Sequence, residues 1–313
     1  YAAAALVVAV LLESRLALVV GLLVSLLVGV LARDLSLLLY AAIGNIVAVY
    51  GVGRYQRRDT ITRAGLIIGV ANLGATGLVL LSRGESVVLG PILWNAVCGM
   101  TGGLLTAALA AFALPINESL FGIVTDVKLL ELSNVELPLL KRLAIEAPGT
   151  YHHSLIVATL AEEAAKAIGA HALLVRVGSY YHDVGKLADP SLYIENQRAG
   201  SNPHDRWPPE ESARRIIQHV SEGMRLAEQY GLPRQIVDLI PQHHGTRRLH
   251  YFYAKALERA AVSGTPVDER CFRYPGPKPQ TIEAAIVMMC DSSEAAVRSL
   301  RRPTPEKIRS LVR

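Results

Sequence analysis

Tyr180-Tyr181-His182-Asp183-Val184-Gly185-Lys186 is the stretch on which the reading of this chain turns. It closes a run predicted to be helical over 171–184, and it sets an imidazole beside a carboxylate at that helix's end. Imidazole nitrogens and carboxylate oxygens together suit first-row transition metals, and a carboxylate next to a histidine can lie between two ions. Working outward, the same two residue types recur at His153, His219, the doublet His243-His244, and Asp291. Taken singly, each reads as an ordinary hydrogen-bonded core group. Asp291 carries more weight, because it directly follows Ile286-Val287-Met288-Met289-Cys290, where an unpaired carboxylate would be costly to bury. The set points to a two-metal phosphohydrolase.

Composition divides the chain in two. Of its 313 residues, 51% are hydrophobic and only 6% aromatic, and the mean hydropathy is positive. Residues 1–114 are apolar and glycine-rich, whereas 115–313 hold nearly all the Asp, Glu, Lys and His. A membrane part followed by a soluble domain is the expectation. The net charge of +5 forms no long basic tract, which argues against a nucleic-acid polymer as partner. Cys98, Cys271 and Cys290 are odd in number and far apart, so neither a disulfide framework nor a cysteine-based zinc site is indicated. The chain starts at Tyr1 inside an apolar run and ends in a charged, helix-like stretch, and it is expected to be a fragment.

A span needs about 20 mainly apolar residues. Residues 16–32, 35–53, 64–82 and 87–114 qualify, and 1–12 look like part of a fifth span. The loop holding Arg54, Arg57, Arg58 and Arg63 should be cytoplasmic by the positive-inside rule. Counting outward from it, Arg15 also falls inside, Arg33 and Arg83 fall outside, and the chain leaves the last span into the cytoplasm. Asn45, Asn72 and Asn95, with Gly65 and Gly69 at small-xxx-small spacing, read as helix-packing groups rather than a transport path, since no ionisable residue lies mid-span.

Beyond residue 115 the apolar residues recur at helical spacing and no run alternates long enough for a sheet, so an all-α domain is predicted. Helices are expected over 138–146, 154–168, 171–184, 209–230, 233–243, 251–261 and 281–300. Gly149, Gly169, Gly231 and Gly245 are expected near helix ends, and 266–280 as an ordered loop. His153 should open a helix, His182 and Asp183 end one, and His219 lie mid-helix. A bundle whose helices each contribute one or two ligands can hold ions in its interior. Which of His152 and His153 ligates is not decided by spacing.

The motifs Glu146-Ala147-Pro148-Gly149-Thr150-Tyr151-His152-His153-Ser154, the His182-Asp183 stretch above, Ile194-Glu195-Asn196-Gln197 and Asn202-Pro203-His204-Asp205 are distinctive together. With Gln242-His243-His244-Gly245-Thr246 and 272–280, they resemble the HD-domain phosphohydrolase superfamily. More narrowly they resemble its seven-transmembrane HD family of PgpH-type cyclic-di-AMP phosphodiesterases. The likeness covers the soluble half from about Phe121, and the spans fit the family's membrane bundle. Members carry seven spans and a large extracellular domain after the first, so the sensor portion is expected to be missing here. The expected partition is 1–114 for the spans, 115–145 for a connecting segment and 146–313 for the HD domain.

The resemblance implies two divalent transition-metal ions, manganese or iron. One would be held by His153, His182, Asp183 and Asp291, and the other by Asp183, His219, His243 and His244, with Asp183 bridging. It implies hydrolysis of cyclic-di-AMP to linear pApA, with Asp183 in the chemistry; Lys186, three residues after Asp183, is read as a catalytic residue that contacts the phosphate or assists the leaving oxygen, and Arg247 and Arg273 as loop cations that contact the substrate's phosphate or adenine. His204 reads as a lid residue. The expected partners are a cyclic dinucleotide, the lipid bilayer and, as an option, a second copy of the chain. The expected location is the bacterial plasma membrane, multi-pass, with the HD domain in the cytoplasm. Cyclic-di-GMP is the second substrate: in the group that cleaves it, the doublet is followed by an acidic residue and Gly-Tyr-Pro, whereas here Gly245-Thr246-Arg247-Arg248 follows. Another nucleotide as substrate, and a receptor that binds without cutting, are the remaining alternatives.

Overall fold

The computed structural model describes residues 1–53, 55, 57–82, 89–197, 202–300 and 303–312. Among the described residues the elements are helices, joined by one isolated bridge between Arg248 and Arg273, in keeping with the all-α class. The chain forms two compact units, Tyr1–Lys128 and Leu129–Arg313.

The first unit holds α1 (Ala2–Leu11), α2 (Ser14–Ala32), α3 (Leu35–Val52), α4 (Asp59–Ser82) and α5 (Leu89–Phe121). Four of these helices, α2 to α5, are long and apolar enough to cross a membrane. Their inner faces bury small and branched residues, among them Ala48, Ala64, Ile68, Ala107 and Ala110. The outer faces expose Leu23, Val30, Leu31, Val70 and Leu105, as helices in lipid do. Small residues let α4 and α5 touch: a Cβ on Gly65 would meet the Ala107 Cβ at 2.6 Å, and one on Gly103 would meet the Gly65 carbonyl at 2.2 Å. The buried amides tie neighbouring helices, Asn45 donating to Gly21 O at 2.9 Å and to Ser25 Oγ at 2.8 Å. Asn72 reaches Gly99 O at 3.4 Å. Helix α4 starts earlier than the expected 64, with Asp59 in its first turn paired to Arg57 and Arg63. Helix α5 does not stop before Pro115 but runs through it to Phe121, giving up one backbone hydrogen bond there. Arg54 and Arg83, used for orientation, lie outside the described residues.

The second unit contains most of α6 (Asp126–Leu132), then α7 (Pro138–Glu146), α8 (Pro148–Ile168), α9 (Ala172–Tyr181), α10 (Pro209–Gln229), α11 (Arg234–Val237), α12 (Leu239–Gln242), α13 (His250–Ser263), α14 (Ile282–Arg298) and α15 (Pro305–Val312). Helices α8, α9 and α14 share a core of Ala161, Ala165, Val175, Ile286 and Val287. Helices α10 and α13 close on Ala213, Phe252, Ala256 and Phe272. The predicted helix over 233–243 is two short ones, α11 and α12, meeting at Asp238. Helix α8 begins six residues before the expected 154, because Pro148 supplies a first-turn residue needing no N–H partner, so His153 lies within the helix rather than opening it.

Gly149 is therefore not a cap. It sits in the first turn of α8 because any Cβ there would lie 1.9 Å from the Glu195 carbonyl oxygen. Gly169 does end the helix as expected, at φ 73, with Ala170 N–H closing onto Ala165 O at 2.9 Å.

Candidate metal centre

Three local devices converge on the space between α8, α9, α10 and α14. The first is the exit of α9, where the chain leaves Tyr181 and turns through His182 and Asp183 into a 3-10 segment, Val184–Ala188. The Tyr181 hydroxyl, buried, donates to Leu132 O at 2.7 Å and fixes that exit. The second device is Gly185, where a Cβ would fall 1.8 Å from the His219 carbonyl oxygen and 2.4 Å from Gly223 N. Only glycine lets the turn press on α10 this closely, and that approach sets Asp183 against His219. The third is the end of α12, which delivers His243 and His244 side by side before Gly245 turns the chain at φ 53.

Asp183 is the hinge of the arrangement. Its Oδ2 lies 3.5 Å from His153 Nε2 and 3.4 Å from His182 Nε2, while its Oδ1 lies 3.5 Å from His219 Nε2 and 3.6 Å from His243 Nε2. The two oxygens of one carboxylate thus face two histidine sets. Asp291, from α14, completes the first set, with Oδ1 3.1 Å from His153 Nε2 and 3.8 Å from His182 Nε2. His244 joins the second set, and its Nδ1 also lies 3.8 Å from Asp291 Oδ2. Ligand atoms of Asp183, His219, His243 and His244, and of His153, His182 and Asp183, lie within 4.8 Å of one another in each group.

The donor set fits metal ions, as four buried atoms show. His182 Nε2, His219 Nε2, His243 Nε2 and Asp183 Oδ1 have no hydrogen-bond partner among the described residues. Other buried side-chain atoms are so left among the described residues, but these four face one another across the same small space. Meanwhile the opposite ring nitrogens are occupied. Nδ1 of His182, His219 and His243 bonds Ser179 O at 2.7 Å, Ile216 O at 2.6 Å and Ile240 O at 2.6 Å. Donation to a carbonyl places the proton on Nδ1 and turns the Nε2 lone pair inward, the arrangement of metal-ligating imidazoles.

Electrostatics point the same way. Burial pushes the His219 imidazolium down to about 4 and holds that of His244 well below the usual histidine range, so both are neutral lone-pair donors at ordinary pH. Burial works against charge on Asp183, yet Lys186 and His182 hold its carboxyl well below the carboxylate range. On Asp291 burial is likewise outweighed, by His153 and His182. At His182 burial is outweighed by the Asp183 and Asp291 carboxylates, which raise its imidazolium, so the neutral imidazoles of the centre are those of His219 and His244.

Lys186 occupies a different place from the expected one. Its buried ammonium lies 2.7 Å from Asp183 Oδ2 and 2.7 Å from Glu195 Oε1, with the Tyr193 ring beneath it at 4.9 Å. Those two carboxylates take two of its three donors and tie it to the centre through Asp183. Arg247 and Arg273 are on the surface around the doublet. Arg247 donates to the Ser292 hydroxyl, and Arg273 pairs with Glu269 and donates to Thr246 O at 3.1 Å. His152 points to solvent. His204 is buried, with Nε2 bonded to Leu192 O at 2.9 Å and its ring against Trp207 and Phe252, so it anchors its loop instead of forming a lid.

Three residues of the centre had no role assigned from sequence, although Glu195 and Tyr274 lie inside the motifs of the resemblance. Glu195 clamps Lys186; Tyr274 stacks on His244, ring centres 4.1 Å apart; and Glu294 bonds His153 Nδ1 at 2.6 Å. Glu294 was legible in principle, one helical turn after Asp291 on α14.

Comparison with known proteins finds relatives for both parts of the chain. Residues 1–125 match the family described as 7TM receptor with intracellular HD hydrolase, and residues 150–296 match the HD domain. The cyclic-di-AMP phosphodiesterase PgpH of Bacillus subtilis is 42% identical over 275 residues, which is 88% of this chain and 38% of that protein. Its namesake in Listeria monocytogenes is 43% identical over 258 residues, 82% of this chain and 35% of that protein. The chain therefore spans little more than a third of these curated relatives. A crystal structure of the L. monocytogenes PgpH HD domain covers 56% of this chain and 80% of its own, at 50% identity and a TM-score of 0.52. The same domain in complex with cyclic-di-AMP gives 49% identity and a TM-score of 0.54, over 57% of this chain and 82% of its own.

Proposed function

This chain belongs to the family of seven-transmembrane receptors with an intracellular HD hydrolase domain, and from that premise we propose that its HD unit hydrolyses cyclic-di-AMP to linear pApA. The observation that carries the reading is the divided carboxylate of Asp183, one oxygen toward His153 and His182 and the other toward His219 and His243. The substrate comes from the PgpH relatives and from the HD domain crystallised with cyclic-di-AMP.

Two divalent ions of the manganese or iron class, held by His153, His182, Asp183 and Asp291 on one side and Asp183, His219, His243 and His244 on the other, would lower the pKa of a water and neutralise charge on the phosphate. Asp183 fixes the spacing of the two ligand sets. Lys186 keeps Asp183 ionised, and Glu195 keeps Lys186 in place. One water adds to phosphorus, one ester P–O bond breaks, and the departing 3′ oxygen takes a proton, so the ring opens with a net gain of water. Arg247 and Arg273 are the candidates for holding non-bridging oxygens. Both are now engaged at the surface, in contacts whose loss costs about 1 kcal/mol or less.

The membrane is taken to be the bacterial plasma membrane, with the HD unit in the cytoplasm. That orientation rests on the inside arginines, which outnumber the outside ones. We assign 1–114 to the spans, 115–145 to the connection and 146–313 to the HD domain.

The full chain, purified in detergent with manganese, should convert cyclic-di-AMP to pApA faster than it opens cyclic-di-GMP, and leave a nucleoside triphosphate intact. Replacing His182 and Asp183 by alanine should abolish turnover. Cyclic-di-AMP bound but uncut with either metal would instead make the unit a receptor.

A further inference from the structure

His153 is held unlike the other ligand histidines. Where His182, His219 and His243 donate Nδ1 to backbone carbonyls, His153 Nδ1 meets a carboxylate, Glu294 Oε2, at 2.6 Å. Its Nε2 faces Asp291 Oδ1 at 3.1 Å. Asp291 and Glu294 stand one turn apart on α14, so a single helix grips the imidazole at both nitrogens. The Glu294 side chain is 9% exposed, enclosed enough for its charge to act on the ring with little screening.

Behind it the contacts continue. Arg298 lies 3.8 Å from Glu294 Oε1 and 3.8 Å from Glu195 Oε2. Glu195 in turn holds Lys186, which holds Asp183 Oδ2, the oxygen that faces His153. Asp183, Lys186, Glu195, Arg298 and Glu294 therefore alternate in charge along a chain whose two ends meet at the His153 ring, around one half of the centre. The half built from His219, His243 and His244 has backbone carbonyls and the Tyr274 ring at the corresponding places.

We infer that Glu294, steadied by Arg298, is a positioning residue that makes the two metal positions unequal, raising the cation affinity of the His153, His182 and Asp291 position alone. A carboxylate on the far nitrogen of a ligating imidazole increases its basicity and fixes its orientation, and removing such a partner typically weakens metal binding about 10–100-fold. The inference rests on the two-metal reading above.

The test is manganese titration of the full chain in detergent, followed by calorimetry and by electron paramagnetic resonance. Wild type should bind two manganese ions per chain with the spectrum of a coupled pair. Glu294→Gln should bind one ion at wild-type strength and the second about 10–100-fold more weakly, with an uncoupled spectrum at one equivalent. Arg298→Met should show a smaller shift in the same direction, and Glu294→Asp should recover part of the loss. His219→Ala should spare the position that Glu294→Gln weakens. Two unchanged affinities in Glu294→Gln, or both weakened equally, would overturn the inference while leaving the two-metal reading in place. Should Glu294→Gln not fold, Arg298→Met decides by the same two readouts. Wild type binding fewer than two ions would instead remove the reading beneath it.

Discussion

Lys186 Nζ lies 2.7 Å from Asp183 Oδ2, with Asp183 buried and the Lys186 side chain 12% exposed. The pair holds the Asp183 carboxylate charged against its burial. Lys186→Met would remove the cation that stands between Asp183 and Glu195, and breaking a buried pair in this way costs about 3–5 kcal/mol. The metal-free protein should unfold at a markedly lower denaturant concentration, and turnover should fall. A variant as stable and active as wild type would show that Lys186 does not support Asp183.

Chelation should stop turnover, and added manganese should restore it. Because the ions bind the folded state, manganese at about 100 times its dissociation constant should stabilise the chain by about 2.7 kcal/mol for each site. Asp183→Asn should lose both ions, since each carboxylate oxygen serves one histidine set. Metal content measured after dialysis separates these cases. Retention of one tightly held ion in Asp183→Asn would exclude Asp183 as the shared ligand.

The fold class was legible because it depends on local pattern, whereas the ligand set came from residue type together with the resemblance. Apolar periodicity marked the helices, and an Asp closing the run Ile286-Val287-Met288-Met289-Cys290 marked a carboxylate that needs partners. What escaped was tertiary. Gly149 and Gly185 look like ordinary turn residues in sequence, whereas their role is to let Glu195 and His219 backbone approach within the reach of a Cβ. Lys186 looked free beside Asp183 because its second partner, Glu195, comes from a separate 3-10 turn, Ile194–Asn196. Glu294 had a sequence signal, its place one turn after Asp291, but its partner His153 comes from α8 through packing.

Arg273 pairs with Glu269 at the surface near the His243-His244 doublet, so Arg273→Ala should change stability by less than about 0.5 kcal/mol. If it holds the phosphodiester, KM for cyclic-di-AMP should rise while metal content stays at wild type, and Arg247→Ala should behave alike. Steady-state kinetics over a range of substrate decide this. Unchanged KM in both variants would remove these arginines from the substrate site.

Gly185→Ala tests the contact that seats Asp183. Its Cβ would be driven onto the His219 carbonyl, backbone that cannot swing aside, and overpacking of this kind costs about 1–3 kcal/mol. Because that carbonyl belongs to a ligand residue, manganese content should fall along with the unfolding midpoint. A drop in stability with both ions retained would mean that the turn can shift without disturbing the ligands.

Acid sensitivity follows from Glu195. Burial raises its carboxyl, but Lys186 outweighs this and leaves it below its ordinary value of 4.5. A carboxylate lowered in the folded state is protonated first in the unfolded chain, so its stabilisation is complete above about pH 4.5 and is lost as pH falls through the folded value. Chemical denaturation of the metal-free protein between pH 7 and pH 3 should therefore show a steep acid limb. Glu195→Gln should be less stable at pH 7 and have a shallower limb, the two curves converging in acid. Parallel curves would mean that the Lys186 to Glu195 contact carries no net charge stabilisation.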